Sequence, residues 1–120
     1  MPTDIKDFSK LPDGNYYLTQ NMTITGTTSF TNKKLTICLN GYNIGTTANA
    51  VFGYAKQGSV LNICDCSGTQ DAQGNWTWNG TVTANRTGKA RTYGGVLNMN
   101  ANTTANIYGG NFLGSTGGSC

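Results

Sequence analysis

Apolar and polar residues alternate over residues 34–39, with Leu35, Ile37 and Leu39 on one side of an extended chain and Thr36 and Cys38 on the other. The pattern returns over residues 59–65, where Leu61, Ile63 and Cys64 stand 26 positions after Leu35, Ile37 and Cys38. Further strand candidates lie at 15–20, 22–31, 49–54, 80–84, 95–100 and 105–108, and Gly94-Gly95-Val96-Leu97 is echoed by Gly117-Gly118-Ser119-Cys120. One such unit cannot bury its apolar face alone, whereas stacked units lay their inward side chains on those of the unit before. The spacing therefore predicts an all-β solenoid of about five coils, with Leu35 over Leu61 and Ile37 over Ile63.

Corners and interruptions organise the rest. Asn40-Gly41 supplies residues that tolerate positive φ, as a sharp corner between parallel strands requires, and Asn79-Gly80 is expected to repeat that use. Residues 1–14 are polar and end in the turn signal Leu11-Pro12-Asp13-Gly14; they read as a leading segment that caps the first open edge. Residues 15–120 then form the solenoid. Its last residues, 117–120, open a repeat without finishing it, so the chain reads as a piece of something longer, the alternative being that Gly117-Gly118-Ser119-Cys120 is an engineered tail carrying a thiol. Residues 67–79 and 85–93 break the rhythm as protruding loops, the second carrying Arg86, Lys89 and Arg91.

Several segments taken in order carry a family likeness. They are Leu11-Pro12-Asp13-Gly14-Asn15-Tyr16-Tyr17-Leu18-Thr19, Leu35-Thr36-Ile37-Cys38-Leu39-Asn40-Gly41-Tyr42-Asn43-Ile44, Leu61-Asn62-Ile63-Cys64-Asp65-Cys66, Gly80-Thr81-Val82-Thr83 and Ile107-Tyr108-Gly109-Gly110-Asn111-Phe112. The series resembles the right-handed parallel β-helix modules of large secreted surface proteins of Gram-positive gut bacteria. The resemblance implies pectate-lyase-like coils in a modular, adhesin-like extracellular protein, and it brings no catalytic set with it.

Composition narrows the chemistry. Only 11% of residues are charged, against about a quarter in ordinary soluble domains, and the net charge is +3. Lys33-Lys34 is the only basic doublet, so no stripe for nucleic acid exists. No apolar run approaches membrane-spanning length. The chain has no His and no Glu, and of its five acids only Asp65 and Asp71 fall within the coils. A glycosidase needs two facing carboxylates. Asp65 reads instead as a corner residue that binds backbone amides, and no enzyme, cofactor or metal centre is expected.

Four cysteines remain: Cys38, Cys64, Cys66 and Cys120. Their spacing fits no zinc motif, and a structural disulfide in an oxidising compartment is the expected use. The register places Cys38 beside Cys64, with Cys66 as the competing partner, and Cys120 is expected to stay unpaired within the chain. Trp76 and Trp78, with Tyr93 near the next break, are the candidate ligand or partner contacts. Two Trp faces side by side would offer a platform for a sugar ring, unless one or both fold back over the solenoid. The expected function is a structural or adhesive extracellular module. The alternatives are a fibre subunit that stacks on itself through open coil ends, and a fragment that binds or degrades polysaccharide.

Overall fold

A computed structural model describes residues 11–24, 31–46, 52–55, 57–84, 97–99 and 102–113. The described residues contain strands and turns and no helix. In chain order the strands are β1 (Gly14–Tyr17), β2 (Met22–Ile24), β3 (Lys34–Cys38), β4 (Asn43–Thr46), β5 (Phe52–Ala55) and β6 (Val60–Cys64). They continue as β7 (Thr69–Gln70), β8 (Trp76–Thr77), β9 (Thr81–Ala84), β10 (Leu97–Met99), β11 (Thr104–Ile107) and β12 (Asn111–Leu113).

Two four-stranded parallel sheets dominate, one ordered β1-β3-β6-β11 and the other β2-β4-β9-β12. Each strand of the first is followed by one of the second: β1 by β2, β3 by β4, β6 by β9 and β11 by β12. β5 and β10 form a further parallel pair with an irregular register, and β7 and β8 form a small antiparallel hairpin. Leu35 pairs with Leu61 and Ile37 with Ile63, as the spacing predicts. Tyr16, Ile37, Ile63 and Ile107 thereby fall in one register column. Four successive passes through both sheets are described, against the expected five or so.

The inward positions of both sheets meet in one core that includes Leu18, Ile24, Leu35, Ile37, Leu39, Ile44, Leu61, Ile63 and Val82, with Tyr16 and Phe112 packed against it. Each fully buried aliphatic side chain contributes about 2 kcal/mol, so this column is the main stabilising term. Outside the first sheet runs a polar ladder. Asn62 Nδ2 donates to Thr36 Oγ1 at 3.2 Å across 26 residues, and Asn106 Nδ2 donates to Asn62 Oδ1 at 2.9 Å across 44. Side-chain amides that bond to the strand beneath replace the charged exterior of an ordinary domain.

Three features differ from the sequence expectation. β4 and β12 fall where no strand was anticipated; Asn43-Ile44-Gly45-Thr46 offers one large apolar residue, and pairing to β2 and β9 makes it a strand. The expected loop 67–79 contains the β7–β8 hairpin. Asn79-Gly80 does not repeat the corner at Asn40-Gly41, where φ is 52° and 82°. Gly80 serves close approach instead, since a Cβ there would lie 2.5 Å from Leu39 Cβ. Residues 1–10 of the capping segment, Tyr93, the basic break at 85–93 and Cys120 lie outside the described residues.

Candidate functional site

The site is built on the corner after β6. Asp65 is 5% exposed, and its carboxylate accepts five hydrogen bonds. Oδ1 takes the backbone N–H of Gly41 at 3.0 Å, that of Ser67 at 3.2 Å and the Ser67 hydroxyl at 2.7 Å. Oδ2 takes the N–H groups of Asn79 at 2.8 Å and Gly80 at 2.7 Å. One side chain thus ties together the corner below, its own turn and the point where the chain returns from the hairpin. Burial alone would raise its pKa, but the donors from Gly80, Ser67 and Gly41 outweigh burial and hold it below the ordinary carboxylate value.

The hairpin that rises from this corner is pinned locally. Asp71 Oδ1 accepts the N–H groups of Gln73 and Asn75, each at 2.9 Å, and Gly74 takes φ 86° in the turn. At its base Asn79 Nδ2 donates to the Ser67 carbonyl at 3.0 Å, and Asn111 Nδ2 donates to the Trp78 carbonyl at 2.8 Å. Two glycines then make room for an indole. A Cβ on Gly68 would overlap the Trp78 ring, and one on Gly109 would lie 2.8 Å from it.

Trp76 stacks on Trp78 with ring centroids 5.0 Å apart and planes 2° from parallel. Of the two arrangements the sequence allows, a side-by-side platform or a ring folded back, the structure has Trp78 folded back over Gly68 and Gly109 with Trp76 stacked parallel to it. Trp78 is the half-buried anchor, and Trp76 stands 52% exposed. Beside them opens a cleft of about 510 Å³, lined by Cys64, Asp65, Cys66, Gly68, Trp76, Trp78 and Tyr108. Tyr108, at 66% exposure, is the residue that sequence reasoning missed as a site member. It follows β11, and the 44-residue return of that strand conceals which residues it joins.

The cysteines complete the wall. Cys38 and Cys66 form a disulfide with Cα atoms 5.9 Å apart, and Cys64 carries a free thiol. The bridge spans the corner diagonally, so it joins Cys38 to Cys66 although Cys64 is its register partner. Cys38, placed on the outward side by its alternation, is buried; its sulfur also accepts the Cys66 N–H at 3.0 Å. Burial, and then the adjacent Asp65 charge, push the Cys64 thiol pKa up.

A second, polar hollow of about 300 Å³ lies over β2, β4 and β9, where Thr23 and Thr83 flank Gly45. No protein-family model, curated protein or solved structure matches the chain.

Proposed function

We propose that the chain is part of a right-handed parallel β-helix in an extracellular surface protein of the kind its motifs resemble. In this reading it acts as a non-catalytic adhesive module and engages carbohydrate through the Trp76 cleft. The winding is supported by the order of the strands, since the chain visits the two large parallel sheets in turn and each new strand extends the same sheet edge. The β5–β10 pair supplies a third face to such a coil. A disulfide and a charge-poor, amide-rich exterior suit an oxidising, extracellular setting.

The observation that carries the binding role is the exposed indole of Trp76, held flat by a ring that the fold itself has anchored. A pyranose presents a face of C–H groups that covers an aromatic plane, while its hydroxyls remain hydrated at the rim. An immobilised ring loses little entropy on binding. Asp65, the acid in the cleft wall, spends its oxygens on five donors, which supports binding rather than proton transfer. Titration of bacterial and host polysaccharides against the chain, followed by tryptophan fluorescence, tests the proposal. Saturable binding lost in Trp76→Ala supports it, and binding unchanged in that variant overturns the site.

A second reading, self-association by stacking, is favoured by one observation. Among the described residues β11 and β12 end their sheets, and Ile107 (45%) and Leu113 (54%) are exposed there. An unpaired strand edge is a template for a further strand, whether from a longer chain or from a second copy. Light scattering at high concentration, with Cys120 blocked, distinguishes oligomers from a monomer.

A further inference from the structure

We propose that the Cys38–Cys66 bridge and the Cys64 thiol form an exchanging set, and that the Cys66 thiol released by exchange is a modification site for small disulfide compounds at the cleft. The proposal is independent of carbohydrate binding. The three sulfur atoms lie within 4.8 Å of one another. Cys38 is buried, Cys64 half-buried and Cys66 exposed. Cys64 and Cys38 are direct partners on the neighbouring parallel strands β6 and β3. Such strands run about 4.8 Å apart, inside the Cα range of about 4.4–6.8 Å that a disulfide spans. The Cys64 thiol already points toward β3, donating to the Ile37 carbonyl at 3.8 Å. A Cys64–Cys66 bridge is the poorer product, because it has to close across the Asp65 corner that five hydrogen bonds hold.

The exchange balances without an oxidant. The Cys64 thiolate attacks Cys38 Sγ; the Cys38–Cys64 bond forms as the Cys38–Cys66 bond breaks. The electron pair leaves on Cys66, which takes up the proton that Cys64 lost. The two bridges close loops of nearly equal length, 28 and 26 residues, so chain entropy scarcely separates them. In a second step the exposed Cys66 thiolate attacks a compound R–S–S–R. The bond Cys66–S–S–R forms, the R–S–S–R bond breaks, and RSH leaves after protonation. The attacking species is a thiolate, and the groups that bear on it are the Asp65 carboxylate and the Tyr108 phenol in the same cleft wall, with the bridged Cys38 opposite. Burial and the Asp65 charge disfavour the Cys64 thiolate, so exchange is slow near neutrality and quickens with alkali.

The test uses the unreduced full chain carrying Cys120→Ser. Samples held at about pH 6 or pH 9, either side of the ordinary thiol pKa, are acid-quenched and trapped with a maleimide. They are then cut after Lys56 and before Asp65, which puts Cys38, Cys64 and Cys66 on separate peptides. At the lower pH the label is expected on Cys64. Incubation at the higher pH is expected to raise Cys66 labelling several-fold, with a matching rise in Cys38–Cys64 linked peptide, and oxidised glutathione is expected to add at Cys66. Cys64→Ser, which keeps the bridge, is expected to abolish both Cys66 signals. Label confined to Cys64 at both pH values overturns the proposal. So does glutathione addition at Cys66 that is unchanged in Cys64→Ser, since the reagent would then be attacking the bridge directly.

Discussion

Asp65 and Gly80 fix each other's identity. The Gly80 N–H donates to Asp65 Oδ2 at 2.7 Å, and a Cβ at position 80 would lie 3.2 Å from the carboxyl carbon of Asp65 and 2.5 Å from Leu39 Cβ. The corner beneath the cleft therefore demands a doubly accepting side chain at one position and no side chain at the other.

Asp65→Asn replaces one acceptor oxygen with an N–H₂ group that faces backbone donors. With two or more buried or part-buried donors left without an acceptor, the free energy of unfolding is expected to fall by about 3 kcal/mol. Gly80→Ala is expected to cost about 2 kcal/mol through overpacking against Leu39. Urea titrations check both, and a change below about 0.5 kcal/mol in Asp65→Asn would show that the carboxylate does not hold the corner.

Asp65 also sets an acid dependence. Its folded pKa lies below its unfolded value, so its contribution is fully present above about pH 4 and is lost as pH falls through the folded value. The difference in unfolding free energy between the native chain and Asp65→Asn is expected to shrink as pH drops across that window. A pH-independent difference would contradict the assignment.

The stacked indoles are expected to separate by role. Trp78→Ala empties the space above Gly68 and Gly109 and is expected to lower stability by about 3 kcal/mol. Trp76→Ala removes a half-exposed ring and is expected to change stability by less than about 1 kcal/mol while abolishing the carbohydrate binding we propose. Denaturation and fluorescence titration of the two variants check the split.

The bridge is expected to contribute about 3.6 kcal/mol, the loop-closure value for a ring of 28 residues. Because Cys64 would replace Cys66 as the partner of Cys38, the measurement compares Cys64→Ser, which keeps the bridge, with the double variant Cys64→Ser, Cys66→Ser in urea.

The inward columns were legible because Leu35, Ile37, Leu61 and Ile63 repeat in phase and are separated by polar residues. The Asp65 corner was legible too, since a lone acid between strand and turn has backbone amides to satisfy. β4 was not, because a single Ile among Asn, Gly and Thr carries no period. The sequence left open whether Trp76 and Trp78 stand side by side or fold back, because strand alternation sets the side of the chain but not how a ring turns over a glycine. Tyr108 was hidden by a return of 44 residues, where the intervening chain breaks the echo.

Backbone NOEs between β3 and β6 test the account most directly, since every position in the site depends on their parallel register. The account predicts interstrand HN–Hα contacts that step in the same direction along Leu35–Ile37 and Leu61–Ile63, with Tyr16 beside Ile37 and Ile107 beside Ile63. Close Hα–Hα contacts mirrored about Asn40-Gly41, the mark of an antiparallel hairpin, would contradict it.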